Sequence, residues 1–373
     1  MYAPQLTQMG IVQRTRKSPF YDATIRWGAQ AFTVYNHMLM PTFYESPEAD
    51  YWKLVQNVTA WDVACERQVE IVGPDAYRLV RLLTPRNLSR LRVGQCYYVP
   101  LCAEDGGILN DPVLLRLGEN HFWLSLADSD ILLWAQGVAL GMGLDVTIRE
   151  PDVSPLAVQG PNAEAVTAAL LGEWVRNIRY FWFREFELDG IPLLVARSGW
   201  SKQGGFELYL RDGSRGDELW ERVMAAGAPW GIGPAAPSGI ERIESGLLSF
   251  GNDMTPENNP FEIGLEKYFD LAQEIDFIGK EALRRIQAAG VGQKLVGLTL
   301  HNERITGCQE WWPISDAGVP VGKLTSVAWS PRLNTSIGMG LVALEKTRIG
   351  TQLAVQSPTG DVLVTVSPLP FPI

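Results

Sequence analysis

The sequence predicts an α+β protein in which duplicated α/β units precede a small antiparallel β-barrel at the C-terminal end. Three observations predict it. A strand that runs into Gly-Pro-[Asp/Asn]-Ala and then a helix occurs twice, from Gln68 and again from Leu156. Beyond Gly292 the chain changes to evenly spaced short strands separated by glycine turns. The length of 373 residues, 46% hydrophobic and 20% charged, suits a globular chain of two or three packed units and disfavours disorder or coiled coil.

In chain order, residues 1–28 read as a poorly ordered or loosely docked N-terminal arm. The α+β region spans 29–288 as two interlocked subdomains, and 289–373 form the barrel domain. From Gln68 the run Gln-Val-Glu-Ile-Val alternates like a strand, and the spacing of Tyr77 to Leu83 is helical. The same device returns over 156–164. Between the copies lie strands at 96–101, 113–117 and 121–126, with Tyr97 and Tyr98 pointing to opposite faces. A strand pair fits 186–189 and 193–197, and helices fit 216–226, 238–249 and 279–288. The barrel strands are expected at 295–300, 319–329, 337–342 and 353–355. No linker or low-complexity tract separates these units.

The charge sum of 32 Lys+Arg against 42 Asp+Glu gives -10, which argues against a nucleic-acid partner because phosphate neutralisation needs a basic face. No stretch has the roughly 18 to 20 apolar residues of a membrane helix, and the first residues have no apolar signal core, so a cytoplasmic protein without a membrane partner is expected. Cys65, Cys96, Cys102 and Cys308 show no metal-ligand spacing, so no metal site is expected. Thirteen tryptophans are unusual: most fill cores, but the same residue suits an enzyme that binds an onium cation or stacks a flat heterocycle.

Three segments could carry chemistry. Asp105-Gly-Gly-Ile-Leu-Asn-Asp111-Pro is a glycine turn feeding a strand, with a plain hairpin loop as its simplest reading. Arg197-Ser-Gly-Trp-Ser-Lys-Gln-Gly-Gly-Phe-Glu207 is a glycine-rich loop entering a strand; it lacks the Gly-Lys-Ser ending and following helix of a phosphate cradle. Glu241-Arg242-Ile-Glu244-Ser-Gly opens a helix with charges that i,i+3 pairing would explain, and Ser249-Phe-Gly-Asn-Asp253 follows.

Taken together and in order, these segments resemble the folate-binding aminomethyltransferase family, whose best-known member is the T-protein of the glycine cleavage system. The resemblance runs over nearly the whole chain, through Gly106-Gly107 with Asp111, Leu156-Ala-Val-Gln-Gly-Pro161, Gly205-Phe-Glu207, Arg242-Ile-Glu-Ser-Gly246, Gly251-Asn-Asp253, Phe277-Ile-Gly-Lys280, Gly322-Lys-Leu-Thr-Ser326 and Pro370-Phe371. It implies that family's multi-domain cloverleaf fold. Within the family the chain is most similar to tetrahydrofolate-dependent dimethylsulfoniopropionate demethylases, on Thr33-Val-Tyr-Asn-His-Met38, Trp61-Asp-Val63, Glu66-Arg-Gln68, Asn110-Asp-Pro-Val113 and Ala127-Asp-Ser-Asp130. Asn110-Asp111 replaces the Asp-Asp pair usual in the glycine-cleavage enzyme. Phe206 and Phe32 stand where the demethylases tend to carry tyrosine.

The resemblance implies tetrahydrofolate as cofactor, with Glu207 on the pterin ring and Arg242, Tyr98, Ser125 and Asp128 as further folate contacts. It places the catalytic carboxylate at Asp111, with Asn110 as the alternative in that register. Trp200 and Lys202 would hold the two ends of a zwitterion, and Phe206, Phe32, Tyr35 and His37 would line the substrate cavity. The implied reaction moves a methyl group from a small-molecule onium donor, dimethylsulfoniopropionate or a relative, to N5 of tetrahydrofolate. A sulfonium leaves as a neutral thioether and needs no proton, whereas an aryl ether would need an acid that the matched loops lack. The alternatives are aminomethyl transfer of the glycine-cleavage type and a non-catalytic folate-binding protein. A homodimer is compatible with the sequence.

Overall fold

The structure, a computed structural model, describes residues 12–301 and 304–373. The two strand–Gly-Pro–helix devices seed two sheets. In the first, five antiparallel strands run in the order Thr147–Arg149, Gln68–Val72, His121–Ser125, Val113–Gly118, Cys96–Tyr98. In the second, the order is Phe183–Leu188, Ile191–Ala196, Gly205–Leu210, Ser154–Gln159, Thr59–Asp62, Gly233–Ala235, and only the last strand pairs in parallel. Helix Ala76–Leu83 buries Leu79, Val80 and Leu83 against the first sheet; helices Ala163–Leu171 and Gly216–Gly227 cover the second through Val166, Leu219 and Trp220. Each such side chain contributes about 1.5 to 3 kcal/mol when removed from water. The uncovered faces of the two sheets meet each other through Leu115, Trp123, Leu194 and Tyr209, with the rings of Trp123 and Tyr209 6.3 Å apart.

The C-terminal region closes into a six-stranded antiparallel barrel: Gln293–Leu300, Thr335–Ala343, Val319–Ser330, Trp312–Asp316, Gln352–Ser357 and Gly360–Ser367, the last pairing back onto the first. Two of these strands, Trp312–Asp316 and Gly360–Ser367, were not among those expected. The barrel meets the rest of the molecule at helix Gly239–Ser245, where Glu244 is wholly buried. Its carboxylate accepts hydrogen bonds from Tyr51 (2.9 Å), Ser330 (2.5 Å) and Arg332.

Several expectations are corrected. The arm is not loosely docked over its described part: Phe20 is fully buried and packs 6.5 Å from the ring of Trp220, Ser18 donates to Asp62, and Tyr21–Arg26 is helical. Its Phe20 and Ala23 supply the apolar surface that docks it; residues 1–11 lie outside the described part. The run 96–101 is not one strand, since Cys96–Tyr98 and Leu101–Cys102 belong to different sheets and Pro100 between them has no N–H to continue a ladder. The helix expected over 238–249 ends at Ser245, because Gly246 turns left-handed at φ 65° and its N–H caps Arg242 and Ile243.

Candidate active site

Where the sheets face each other, seven side chains from six segments of the chain converge. Strand Gly205–Leu210 alternates, so Phe206, Leu208 and Leu210 enter the core behind the sheet while Glu207 and Tyr209 face the other sheet. Ser125 ends strand His121–Ser125, and Glu66 lies in the turn after Thr59–Asp62. Tyr98 closes Cys96–Tyr98, Asp111 follows Ile108–Asn110, and Tyr35 comes from the hairpin of Ala31–Tyr35 with Met38–Phe43. Tyr35, Glu66, Tyr98 and Asp111 are each partly accessible, whereas Ser125, Glu207 and Tyr209 are buried.

The electrostatics follow from that convergence. The Tyr98 hydroxyl donates to Asp111 Oδ2 at 2.7 Å. Burial pushes the Asp111 carboxyl up to about 7; the Tyr98 bond holds it down and Asp253 raises it further. Glu207 accepts from Ser198 and, at 3.2 Å, from Tyr209, both at Oε2. Its carboxyl is nevertheless raised by burial. Glu66 stands well above the usual carboxylate range, first through burial and then through Glu207 and Asp111; Ser125 opposes this with a hydrogen bond. The negative charge of Glu207 thus adds to burial in raising the Glu66 carboxyl.

The Arg197–Glu207 loop is held in place by Gln159 of the second Gly-Pro device. Gln159 donates to the Ser198 carbonyl at 3.1 Å and accepts from Ser201 at 2.8 Å. Gly199 (φ 149°) and Gly205 (φ 155°) make this contact fit, since a Cβ would lie 2.1 Å from Gln159 Nε2 at the first and 2.4 Å from the Val158 carbonyl at the second.

The remaining expected residues are distributed as follows. Asn110 is fully buried and spends its amide on the 127–129 loop, donating to the Ala127 carbonyl (2.9 Å) and Ser129 (2.8 Å) and accepting from the Ala127 N–H (3.1 Å). It is a scaffold tie, which corrects the expectation that it could replace Asp111 as the reacting group. Phe206 is 1% exposed in the core behind the sheet, and strand alternation rather than cavity shape determines its place, so it does not line the substrate cavity. Phe32 is on the face of its strand opposite Tyr35, 5.3 Å from the ring of Tyr21. His37 is exposed at the left-handed hairpin turn, with Nε2 3.9 Å from Asp130. Asp128 accepts from the Asn36 N–H at 2.9 Å and is within electrostatic range of Tyr35.

Arg242 pairs with neither Glu241 nor Glu244. It donates to Asp253 (2.7 Å), Ser326 (2.6 Å) and the Leu247 carbonyl (3.3 Å), and it borders a cleft of about 260 Å³ that also touches Ser238, Cys308 and Thr325. The Trp200 ring faces this guanidinium at 5.8 Å, and its N–H donates to the Leu248 carbonyl. Lys202 is exposed at the loop tip, its backbone N–H tied to Glu241. A second cleft, about 320 Å³ between Phe261, Phe269 and Ile286, holds none of the expected residues. Glu66, Ser198 and Tyr209 were not singled out from the sequence. Tyr209 could have been, standing two residues after Glu207 on one strand.

Residues 20–273 match the GCVT N-terminal domain, and residues 293–371 match the glycine cleavage T-protein C-terminal barrel domain. The chain is 46% identical over 354 residues to a dimethylsulfoniopropionate demethylase, DmdA, of Ruegeria pomeroyi, covering 95% of this chain and 96% of that one. It is 32% identical over 346 residues to an aminomethyltransferase of Desulfitobacterium hafniense, covering 91% and 93%. The crystal structure of the glycine cleavage system aminomethyltransferase T from Bartonella henselae shares the fold, with a TM-score of 0.85 at 23% identity over 96% of this chain and 98% of that one. With both regions matched in order along most of its length, the chain belongs to the glycine cleavage T-protein family.

Proposed function

We propose that the protein is a tetrahydrofolate-dependent demethylase that takes a methyl group from a small onium acid, dimethylsulfoniopropionate or a relative. The observation that carries this reading is the cluster of buried carboxyls Glu66, Asp111 and Glu207 between the two facing sheets, in a chain 46% identical to a dimethylsulfoniopropionate demethylase. The cluster suits a reduced pterin: both hydrogen bonds to Glu207 fall on Oε2, which leaves Oε1 to accept from the donor edge of the ring. Tetrahydrofolate supplies the N5 lone pair that receives the methyl group.

The chain's task is positioning and water exclusion. Holding acceptor and donor in line within a closed cavity is worth about 7 kcal/mol or more. Asp111, raised to about 7 by burial and oriented by Tyr98, would manage the proton of the reacting amine. Lys202, exposed at the loop tip and without an ion pair among the described residues, would receive the donor's carboxylate. No helix among the described residues is long and apolar enough to cross a membrane. The cytoplasm, which holds the folate pool, is the proposed site of action.

The test incubates the enzyme and tetrahydrofolate with equal concentrations of dimethylsulfoniopropionate, glycine betaine and a methoxybenzoate, and quantifies 5-methyltetrahydrofolate and each demethylated product. Methyl transfer from one or both onium acids is expected. Transfer from the methoxybenzoate alone, or from none of the three, would overturn the reading, and the second outcome would return attention to aminomethyl transfer.

A further inference from the structure

Arg86 follows helix Ala76–Leu83 and stands outside the seven converging side chains. The helix stops before Thr84-Pro85, since a proline keeps the residue before it out of the helical region, and Thr84 is extended. Thr84 is buried and ties the segment down: its hydroxyl donates to the Pro100 carbonyl at 2.7 Å and accepts the backbone N–H of Arg86 at 3.2 Å. The Arg86 side chain thereby reaches the edge of the five-stranded sheet, where Cys96–Tyr98 is the last strand. One guanidinium nitrogen donates to the Tyr98 carbonyl, which an edge strand leaves without a ladder partner. The guanidinium also lies 4.1 Å from the centre of the Tyr97 ring and 5.2 Å from that of Tyr268. The Tyr268 ring in turn stands edge-on to the Tyr98 ring, 5.3 Å away at 75°. Arg86 is half-buried, and no ion pair holds it among the described residues.

We infer that Arg86 is a positioning residue for the Tyr98–Asp111 pair, fixing Tyr98 at both its backbone carbonyl and its ring so that the hydroxyl stays on Asp111. The task of Asp111 rests on the demethylase reading above; the geometry of the pair does not. Tyr98 is anchored at three points. Arg86 takes its carbonyl, Tyr268 braces its ring while Arg86 covers Tyr268, and its hydroxyl reaches Asp111 Oδ2 at 2.7 Å. A tyrosine free to turn about its side-chain torsions spends less time on any one acceptor, so removing an anchor weakens the bond. Arginine suits the task because its planar fork donates to a carbonyl while its face packs on aromatic rings; lysine could make only the bond. The Tyr98 bond favours the charged form of Asp111 against burial and against Asp253. Glu66 and Tyr35 are also in electrostatic range of Asp111. Loosening Tyr98 therefore raises the pH at which Asp111 gives up its proton.

The experiment compares full-length wild type with Arg86→Met, Arg86→Lys, Tyr98→Phe and the double variant Arg86→Met/Tyr98→Phe. Infrared difference spectroscopy follows the Asp111 carboxyl band through a pH titration, with Asp111→Asn as the blank. Steady-state kinetics with tetrahydrofolate and dimethylsulfoniopropionate give kcat and KM across the same range. Arg86→Met should move the carboxyl titration and the acid limb of kcat upward together by about 0.5 to 1 in pH, lower kcat at pH 7 by roughly two- to fivefold and leave the donor KM within about twofold. Arg86→Lys, which keeps a donor for the carbonyl, should recover part of both. In the Tyr98→Phe background the same Arg86→Met change should move neither titration further by more than about 0.2 in pH. A lower melting temperature with both titrations unmoved would make Arg86 a structural cap and overturn the inference, and so would an equal shift in the Tyr98→Phe background. If Arg86→Met does not fold, Tyr268→Leu, which takes away only the ring brace, carries the test with the same expected direction. Wild type that transfers no methyl group would overturn the demethylase reading, and the infrared titration alone then decides the positioning.

Discussion

Asp111 joins two costs that pull in opposite directions. Its carboxyl is raised from 3.8 to about 7, so the folded protein retains a proton that the unfolded chain gives up between those values. The stability this provides is fully present below about pH 4 and is lost as pH rises through about 7, which amounts to roughly 4 kcal/mol at pH 8. Asp111→Asn removes the penalty. Its thermal midpoint at pH 8 should exceed that of wild type, the gap closing near pH 4, while its turnover falls by two orders of magnitude or so. Turnover in wild type should fall as pH drops below about 7, and Tyr98→Phe, which removes the bond that holds Asp111 down, should move this limb to higher pH. At this scale the loops carrying Glu207 and Asp111 read as chemistry-bearing from the sequence, and in the structure both carboxyls are raised by burial. From the sequence Glu66 has no role of its own, although Glu66-Arg-Gln68 is one of the matched segments, because a carboxylate in a turn resembles any solvated residue until the fold buries it. Phe206 shows the converse: its position beside Glu207 suggests the cavity, and the period of two in a strand sends it the other way.

The loop from Arg197 to Glu207 holds its shape through a neighbouring strand rather than through its own bonds. Gln159 reaches across to Ser198 and Ser201, and Gly205 lets strands Ser154–Gln159 and Gly205–Leu210 approach at their ends. Gly205→Ala would put a methyl 2.4 Å from the Val158 carbonyl at φ 155°. It should cost about 2 to 4 kcal/mol and weaken tetrahydrofolate binding by displacing Glu207, checked by thermal denaturation and calorimetry. Elements with periodic patterns were readable before the fold was known, including both Gly-Pro devices and four barrel strands. Helix Ile131–Gly141 was not, since its run Ile-Leu-Leu-Trp-Ala-Gln-Gly-Val-Ala-Leu-Gly is apolar nearly all round and contains two glycines, leaving no face to detect. Strand Trp312–Asp316 was hidden by Pro313, which barrel closure tolerates and strand propensity penalises.

At the scale of the whole molecule, the barrel is coupled to the sheets through Glu244, whose charge is fully buried and answered by Arg332 together with Tyr51 and Ser330. Removing the cation leaves a buried carboxylate without its counter-charge. Arg332→Ala should therefore destabilise the protein by about 3 kcal/mol, and calorimetric melting should show the barrel transition separating from that of the sheets. A single unbroken transition with an unchanged midpoint would mean that the apolar contact of Ile240, Ile243, Met339 and Phe371 suffices for the coupling. The closed barrel has a further consequence, for aggregation. A barrel has no strand edge on which another chain can template, and in the six-stranded sheet the longer of the two edges is Phe183–Leu188. That strand exposes Arg184, Glu185 and Glu187, and the charges make the edge a poor partner for a second copy. A protein that encloses costly negative charge for the sake of its cavity thus uses charge on its rim to stay dispersed.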